Sequence, residues 1–173
     1  NRLVSMAQEL LDFSRGETKL NFKKTNVNNF TLNFLEFIHP LFRENNISIS
    51  SNLEYVGDIV CDSEKLTRVF MNIATNARDA MPKGGAFTIN SRLDDDFVVF
   101  SLADTGCGMP DNIKNKLFEP FVTYGKANGT GLGMAISKKI ILNHKGEIGI
   151  ESVKDKGTTI IIKIPINLNE AVL

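Results

Sequence analysis

The closing segment of the chain, a predicted β-hairpin at residues 146–165, is the feature that most constrains the fold. Its arms, GEIGIESV and GTTIIIKIP, are rich in β-branched residues and are joined by a polar turn. Further strands are predicted at 47–53, near 86–93 and at 97–104, and helices alternate with them. The sequence therefore predicts an α+β fold in which one layer of helices packs on a mainly antiparallel sheet.

The helices are predicted from the spacing of their apolar residues, at about 28–44, 63–81, 110–117 and 131–144. Pro40 is expected to interrupt or bend the first of them. Another amphipathic helix is predicted at residues 1–15, with Gly16 as its stop. Because a polar segment follows this helix, we expect it to pack in a bundle supplied by another segment or chain, with packing on the main domain as the alternative.

The composition excludes several classes of partner. Lys plus Arg and Asp plus Glu number 20 each among 173 residues, so no net charge favours nucleic acid or an anionic membrane. No apolar run approaches the ~20 residues that span a bilayer, and the N-terminus lacks the pattern of a signal peptide. The two cysteines form no CxxC motif, which argues against a disulfide framework or a zinc site. We therefore expect a soluble cytoplasmic domain without a nucleic-acid partner.

The predicted helix at 63–81 carries a polar stripe beside its apolar one. Asn72, Asn76 and Asp79 fall at i, i+4 and i+7. Oxygen donors on one helix face suit Mg²⁺, which often completes its coordination with substrate phosphates, although a solvated face is the alternative. The core stripe of the same helix is predicted to consist of Leu66, Val69, Phe70, Ile73, Ala77 and Ala80.

The segment VVFSLADTGCGMP places Asp104 at the end of a strand, before Gly106 and Gly108. A carboxylate fixed there accepts a hydrogen bond from the exocyclic amine of adenine, whereas guanine offers an oxygen at that position, so the site would select ATP over GTP. The glycines would let a flat base approach, with Met109 as apolar lining. Thr158 is a further candidate for contact with the base. The alternative is a plain turn in which Asp104 and Thr158 bond only local backbone.

The segment GKANGTGLGMAI presents Gly129, Gly131 and Gly133 at the start of a predicted helix. Glycine amides at a helix N-terminus bind phosphate through unpaired N–H groups and the helix dipole. The spacing matches neither GxxxxGK[ST] nor GxGxxG, which excludes a P-loop and a dinucleotide fingerprint. Lys126 is placed to reach a terminal phosphate. A flexible loop with an exposed Lys126 is the alternative.

These motifs gain specificity from their order along the chain, which is Asn72-x-x-x-Asn76, Asp104-x-Gly106-x-Gly108, LFEPF at 117–121, Gly129-Thr-Gly-Leu-Gly133 and Gly157-Thr158. In this order they resemble the catalytic and ATP-binding domain of bacterial sensor histidine kinases, in the GHKL ATPase superfamily. The resemblance covers about residues 20–167. NARDAMPKGG and FVTYGKANGTGLG are most similar to the nitrogen-regulatory branch.

The resemblance implies a sandwich of a mixed sheet over helices, with ATP held beneath a lid. It implies that Asn76 coordinates Mg²⁺ with help from Asn72, that Asp104 binds the adenine amine, and that Thr158 supports Asp104. The catalytic residues would be Asn72, Asn76 and Lys126. Lys126 would also contact the nucleotide, together with Asp79, Gly106, Gly108, Met109, Gly129, Thr130, Gly131, Leu132 and Gly133, and Phe118 and Phe121 would anchor the lid. The role of Asp79 stays open, since many such kinases carry a lysine there.

The resemblance also implies a domain division. Residues 1–16 would be the end of the second helix of a dimerising bundle, residues 17–168 the catalytic domain, and residues 169–173 a tail. The phosphoryl group would pass to a histidine on that bundle and then to the receiver domain of a response regulator, in a full-length homodimer. Neither His39 nor His144 has the acidic neighbour typical of the acceptor. We therefore expect this chain to begin after the acceptor, and to bind ATP without phosphorylating itself.

One departure bears on the reaction. ATP-hydrolysing relatives place a glutamate where this chain has Asn72, and an amide is no useful general base, so slow hydrolysis is expected. Two alternatives are a serine kinase of the anti-sigma-factor type and a degenerate ATP-binding regulatory module. Modification of the Cys107 thiol, between the two glycines of the base pocket, is a separate hypothesis for blocking ATP, with a small tolerated residue as its alternative.

Overall fold

The structure is a computed structural model that describes residues 20–124 and 129–167. The predicted helix at 1–15, the tail at 169–173 and Lys126 lie outside these ranges. The strands are β1 Lys23–Asn26, β2 Ile47–Leu53, β3 Asp58–Cys61, β4 Gly85–Asp94, β5 Phe97–Asp104, β6 Glu147–Val153 and β7 Gly157–Pro165. The helices are α1 Val27–Glu44, α2 Ser63–Ala80, α3 Asp111–Lys114 and α4 Gly133–Asn143.

Five strands form one mixed sheet in the order β2-β4-β5-β7-β6. Only β2 and β4 run parallel, and the β4–β5, β5–β7 and β6–β7 pairs are antiparallel. Strands β1 and β3 pair separately as a small antiparallel ribbon. The predicted α+β class and the mixed, mainly antiparallel sheet are therefore confirmed.

Helix α2 shows how the sequence sets the helical layer. Asp62 caps it, because its side chain accepts a hydrogen bond from the Lys65 amide. The predicted core stripe is buried against the sheet at Leu66, Val69, Phe70, Ile73 and Ala77, whereas Ala80 is only half-buried. The ring of Phe70 meets Phe100 of β5 edge-on at 5.2 Å between centroids. Burial of such a ring contributes roughly 1.5–3 kcal/mol, which holds α2 on the sheet.

Helix α1 continues through Pro40, so the predicted interruption there is wrong, whereas the alternative of a bend stays a prediction. Proline removes one backbone donor and leaves the carbonyl four residues earlier without its helical partner. Both Glu36 and Pro40 are exposed, so water can satisfy that carbonyl. The opposite face is buried through Phe34, Ile38 and Phe42, which keeps the helix on the sheet.

Other predicted boundaries moved for local reasons. Strands β1 and β3 were not predicted, because each has only four residues and neither carries a long alternating pattern. Helix α3 ends at Lys114 and is followed by turns. Helix α4 begins at Gly133 because Gly131 has φ +69°, outside the right-handed helical region. Across the parts of the chain that the structure describes, no helix combines the length and the apolar character needed to span a membrane.

Candidate functional site

Asp104 lies at the last position of β5, where its side chain is fixed by backbone donors. The Gly106 amide donates to Oδ1 at 2.8 Å, and the backbone amide of Thr158 also donates to this carboxyl group. Burial raises the pKa of Asp104, and the two amide hydrogen bonds lower it in part. Strand pairing brings Thr158 opposite Asp104. The carboxyl group therefore has a set orientation before any ligand binds.

The loop after β5 packs on the end of α2. The Cys107 amide donates to the Ala80 carbonyl at 3.1 Å, and the Asp155 amide donates to the Cys107 carbonyl at 2.7 Å. Gly106 and Gly108 are buried on either side of Cys107, whose side chain is exposed. The structure thus brings Gly106, Gly108 and Asp104 together, at the end of β5 and beside α2.

Ser152 of β6 supports this loop, although no sequence motif indicated it. Its hydroxyl accepts from the Met109 amide at 3.0 Å, donates to the Gly157 carbonyl at 3.1 Å and lies 3.0 Å from Thr158 Oγ1. The Thr158 hydroxyl thus contacts Ser152, whereas its backbone amide contacts Asp104. The available signal was the hairpin register, which places Ser152 opposite Thr158.

We expect Ser152→Ala to lower the free energy of unfolding by about 2 kcal/mol, because it leaves the Met109 amide and the Gly157 carbonyl without this partner. Ser91→Ala is the matched control, since Ser91 is also a buried strand serine but its hydroxyl has no hydrogen-bond partner within the described ranges. That variant is expected to be neutral or more stable by up to about 1 kcal/mol. Urea denaturation measures both, and equal losses would contradict the assigned role of Ser152.

The polar stripe of α2 faces α4 at its centre. Asn72 Nδ2 donates to Ser137 Oγ at 2.9 Å and lies 3.6 Å from Met134 Sδ. The Gly133 backbone lies so close to the Asn72 amide that a Cβ at position 133 would overlap it. Asn72 therefore bridges the two helices, in addition to its predicted role at the metal.

The other two members of the stripe lie further along α2. Asn76 is half-buried one turn after Asn72. Asp79 is exposed and forms an ion pair with Arg78 at 2.6 Å. A pocket of about 210 Å³ opens between α2 and α4, with Asn72, Gly133 and Ser137 in its lining.

The glycine segment approaches α4 in a backbone conformation that needs glycine at one position. Gly131 has φ +69°, and its carbonyl accepts a hydrogen bond from the Phe121 amide at 2.9 Å. The buried Leu132 donates its amide to Thr130 Oγ1 at 3.3 Å. Phosphate binding by that amide therefore requires the Thr130 hydroxyl to move. The Gly133 amide opens the first turn of α4, where helix N–H groups lack helical partners.

The two phenylalanines predicted to anchor the lid differ in the structure. Phe118 packs against the core, and Lys138 Nζ lies 5.8 Å from its ring centroid. Phe121 has φ +66° and a side chain that is 66% exposed. Its contact with Gly131 is made by the backbone, and anchoring of the lid by its ring stays a prediction.

Comparison with known families identifies the class of protein. Residues 61–168 match the family of histidine kinase-, DNA gyrase B- and HSP90-like ATPases. The chain belongs to this family. The predicted resemblance to a sensor histidine kinase ATP-binding domain is confirmed.

The individual relatives are sensor kinases. The chain is 34% identical over 170 residues to sporulation kinase E of Bacillus subtilis (strain 168), covering 97% of this chain and 23% of that protein. It is 33% identical over 162 residues to the signal transduction histidine-protein kinase AtoS of Escherichia coli (strain K12), covering 92% of this chain and 26% of that protein. The chain thus spans about a quarter of each relative. Neither is named as a serine kinase, so the anti-sigma-type alternative is not favoured.

Solved structures agree with the fold. Full-length ShkA in complex with AMPPNP matches with a TM-score of 0.86 and 25% identity, covering 99% of this chain and 37% of that one. Histidine kinase ThkA in complex with the response regulator protein TrrA matches with a TM-score of 0.82 and 27% identity, covering 96% and 48%.

Proposed function

We propose that this domain binds Mg-ATP and transfers the γ-phosphoryl group to a histidine on a dimerisation domain outside this chain. The phosphoryl group then passes to an aspartate on the receiver domain of a response regulator. The observation that carries the proposal is the Asp104 carboxyl group, held by the Gly106 and Thr158 amides beside a glycine loop. Family membership and an AMPPNP complex among the structural neighbours support the choice of nucleotide.

In the proposed site, the Asp104 carboxyl group binds the adenine base. With two backbone amides on its carboxyl group, the remaining acceptor capacity is available to one more donor, which suits the exocyclic amine of adenine. Guanine would place an oxygen against this carboxyl group, and two buried acceptors facing one another are costly. The nearby Met109, half-buried and tied to Ser152, supplies an apolar side chain for the base.

The phosphate end lies where α2 faces the start of α4. The side-chain nitrogen of Asn72 donates a hydrogen bond to Ser137, so the side-chain oxygen is the atom of Asn72 that would bind the metal ion. Amide oxygens are hard donors that fit Mg²⁺, and Asn76 with Asn72 would hold the ion together with nucleotide phosphates. When bound, the ion supplies charge neutralisation on those phosphates. The Gly131, Leu132 and Gly133 amides, with Gly129, Thr130 and Lys126 before them, would take the remaining phosphate oxygens.

The residue types favour transfer to a protein nucleophile over hydrolysis. Asn72 occupies the position where a general base would activate water, and an amide does not accept the proton. The bond between the γ-phosphorus and its bridging oxygen breaks, a bond to the histidine nitrogen forms, and ADP leaves. The domain contributes positioning and charge stabilisation, and the nucleophile is supplied by the dimerisation domain.

The proposed partners follow from this chemistry. The dimerisation domain and a homodimeric full-length protein would present the histidine, and a receiver domain would consume the phosphohistidine. The match to ThkA in complex with a response regulator supports the proposed transfer to a receiver domain. This match covers 96% of this chain. A cytoplasmic location is proposed because the reaction draws on ATP.

The full-length protein, incubated with γ-labelled ATP, is expected to gain a phosphoryl group that is lost in acid and stable in base. Phosphohistidine has this behaviour, whereas phosphoserine survives acid. The present chain alone is expected to bind ATP and to remain unlabelled, because neither of its histidines carries the features of the acceptor. Acid-stable label on serine would contradict the proposed reaction and support a serine kinase. Nucleotide binding with no label in the full-length protein would support a degenerate regulatory module.

A further inference from the structure

His144 lies buried at the C-terminal end of α4 and contacts the start of α2. Its Nε2 is 3.0 Å from the Asp62 amide nitrogen, and its Nδ1 is 2.8 Å from the Ile140 carbonyl oxygen. A backbone amide can only donate, so Nε2 must accept, and the proton of the neutral ring is then on Nδ1. This tautomer satisfies both ring nitrogens.

Asp62 joins three segments of the chain at the same place. Its Oδ1 caps α2 through the Lys65 amide at 3.0 Å, and its Oδ2 accepts from the Asn21 amide at 2.9 Å. The neighbouring Phe22 meets the His144 ring edge-on, with 5.4 Å between centroids. The chain that enters the domain, the start of α2 and the end of α4 therefore meet at one buried cluster.

This cluster and the Asn72–Ser137 hydrogen bond fix α4 against α2 at two separate points. Helix α4 is 11 residues long, or about 16 Å, and the glycine amides lie at its other end. Because a packed helix moves largely as a rigid rod, a shift at His144 reaches Gly133. The amides at Gly133 would then move relative to Asn72, which Gly133 touches directly.

We propose that His144 and Asp62 form a positioning pair that sets the α4 glycine amides against the α2 asparagines, and that Asn21 and Phe22 act on the nucleotide site through this pair. The effect on ATP rests on the proposed function. The pair is not placed in contact with the nucleotide.

The pair makes the arrangement sensitive to acid. Burial lowers the pKa of His144 below its ordinary value of about 6.5, opposed in part by the Ile140 carbonyl and by the nearby Asp62 charge. Phe22 and the Asp62 amide, which contact the ring directly, are uncharged. A second proton on the ring would point an N–H at the Asp62 amide. The stabilisation by the neutral ring is therefore complete above the ordinary value of about 6.5, and the arrangement itself is lost as the pH falls further, through the lowered pKa of His144.

Two variants of the chain separate positioning from simple packing. His144→Gln keeps an acceptor near the Nε2 position and does not titrate, and His144→Phe keeps an aromatic ring against Phe22 but removes the acceptor. His39→Gln is the matched control, because His39 is exposed on α1. The readouts are the amide NMR shifts of Gly131 and Gly133 without nucleotide, and ATP affinity by calorimetry, at pH values from about 7.5 to about 5.5.

In the parent chain the glycine amide shifts are expected to move as the pH falls, with a loss of ATP affinity of about fivefold or more. His144→Gln is expected to show no such shift and to bind ATP at pH 7.5 within about twofold of the parent. His144→Phe is expected to bind about tenfold more weakly at pH 7.5. Nucleotide phosphates also titrate in this pH range and change the affinity of every variant. The ATP affinity of the parent is therefore compared with that of His144→Gln at each pH. Phe22→Ala is expected to move the same glycine amides.

Glycine amide shifts that respond to pH equally in the parent and in His144→Gln would overturn the positioning role. Unchanged glycine amides in Phe22→Ala would overturn the link to the entering chain. If the parent binds no ATP at pH 7.5, the proposed function fails, and the NMR comparison still decides the inference. If His144→Phe does not fold, the comparison of the parent with His144→Gln decides it.

Discussion

Asp104→Asn is expected to abolish measurable ATP binding while the domain stays folded. The carboxyl group receives the Gly106 and Thr158 amides and would also receive the adenine amine, so every neighbour is a donor. Asparagine must turn its own NH₂ group toward one of these donors. The loss of a charge-assisted hydrogen bond and the new donor–donor contact together cost about 3 kcal/mol or more, which is roughly a hundredfold or more in affinity.

The fold is expected to tolerate this change. Burial raises the pKa of Asp104, so the charged form is a cost to the folded state that a neutral side chain does not carry. Asp96→Asn is the matched control, because this substitution removes the same charge. Asp96 is exposed just before the other end of β5. Calorimetric titration with Mg-ATP and thermal unfolding measure both variants. ATP binding by Asp104→Asn within a few-fold of the parent would contradict the assignment of the base site.

Gly131→Ala is expected to weaken ATP binding at least tenfold and to lower stability by roughly 1–3 kcal/mol. An alanine at φ +69° carries a steric cost of about 1–2 kcal/mol. Its Cβ would also lie 2.6 Å from Phe121 Cα and 2.7 Å from Val122 N, which are backbone atoms that cannot rotate away. The segment that leads into α4 must therefore shift, and the amides proposed to bind phosphate shift with it.

Gly149→Ala is the matched control for this substitution. A Cβ at Gly149, within β6, would meet no atom closer than 4 Å in the described parts of the chain. Its stability and ATP affinity are expected to stay within about 0.5 kcal/mol of the parent, because alanine fits an extended strand at least as well as glycine. Equal losses of ATP affinity in the two variants would show that the conformation of Gly131 is not specifically required.

The sequence was sufficient for the long elements. Helix α2 was predicted to within one residue because its apolar stripe repeats over five turns and is buried on the sheet. Strand β5 was predicted at its observed bounds, 97–104. The ribbon of β1 and β3 could not be predicted, since four-residue strands are defined by their pairing partner, which lies over thirty residues away. The continuation of α1 through Pro40 depended on which face the helix buries.

In the candidate site, too, local motifs were predicted from the sequence and long-range contacts were not. Motif order placed Asp104 with Gly106 and Thr158, and the structure brings these residues together. The contribution of Ser152 depends on hairpin register, and the contact between Asn72 and Ser137 depends on how α2 and α4 pack. His144 is the last residue of the helix predicted at 131–144, and its contact with Asp62 was not predicted because Asp62 is 82 residues away. Local patterns do not specify such long-range hydrogen bonds.

Asp104, the α2 asparagines and the α4 glycine amides are proposed to form one site selective for ATP. Calorimetric titration of Mg-ATP and Mg-GTP into this chain at pH 7.5 measures both the affinity and the selectivity of this site. We expect micromolar to sub-millimolar binding of ATP with one site per chain, and GTP weaker by about a hundredfold, the factor expected when a buried carboxyl group meets an oxygen. Equal binding of the two nucleotides, or no binding of ATP, would contradict this proposal.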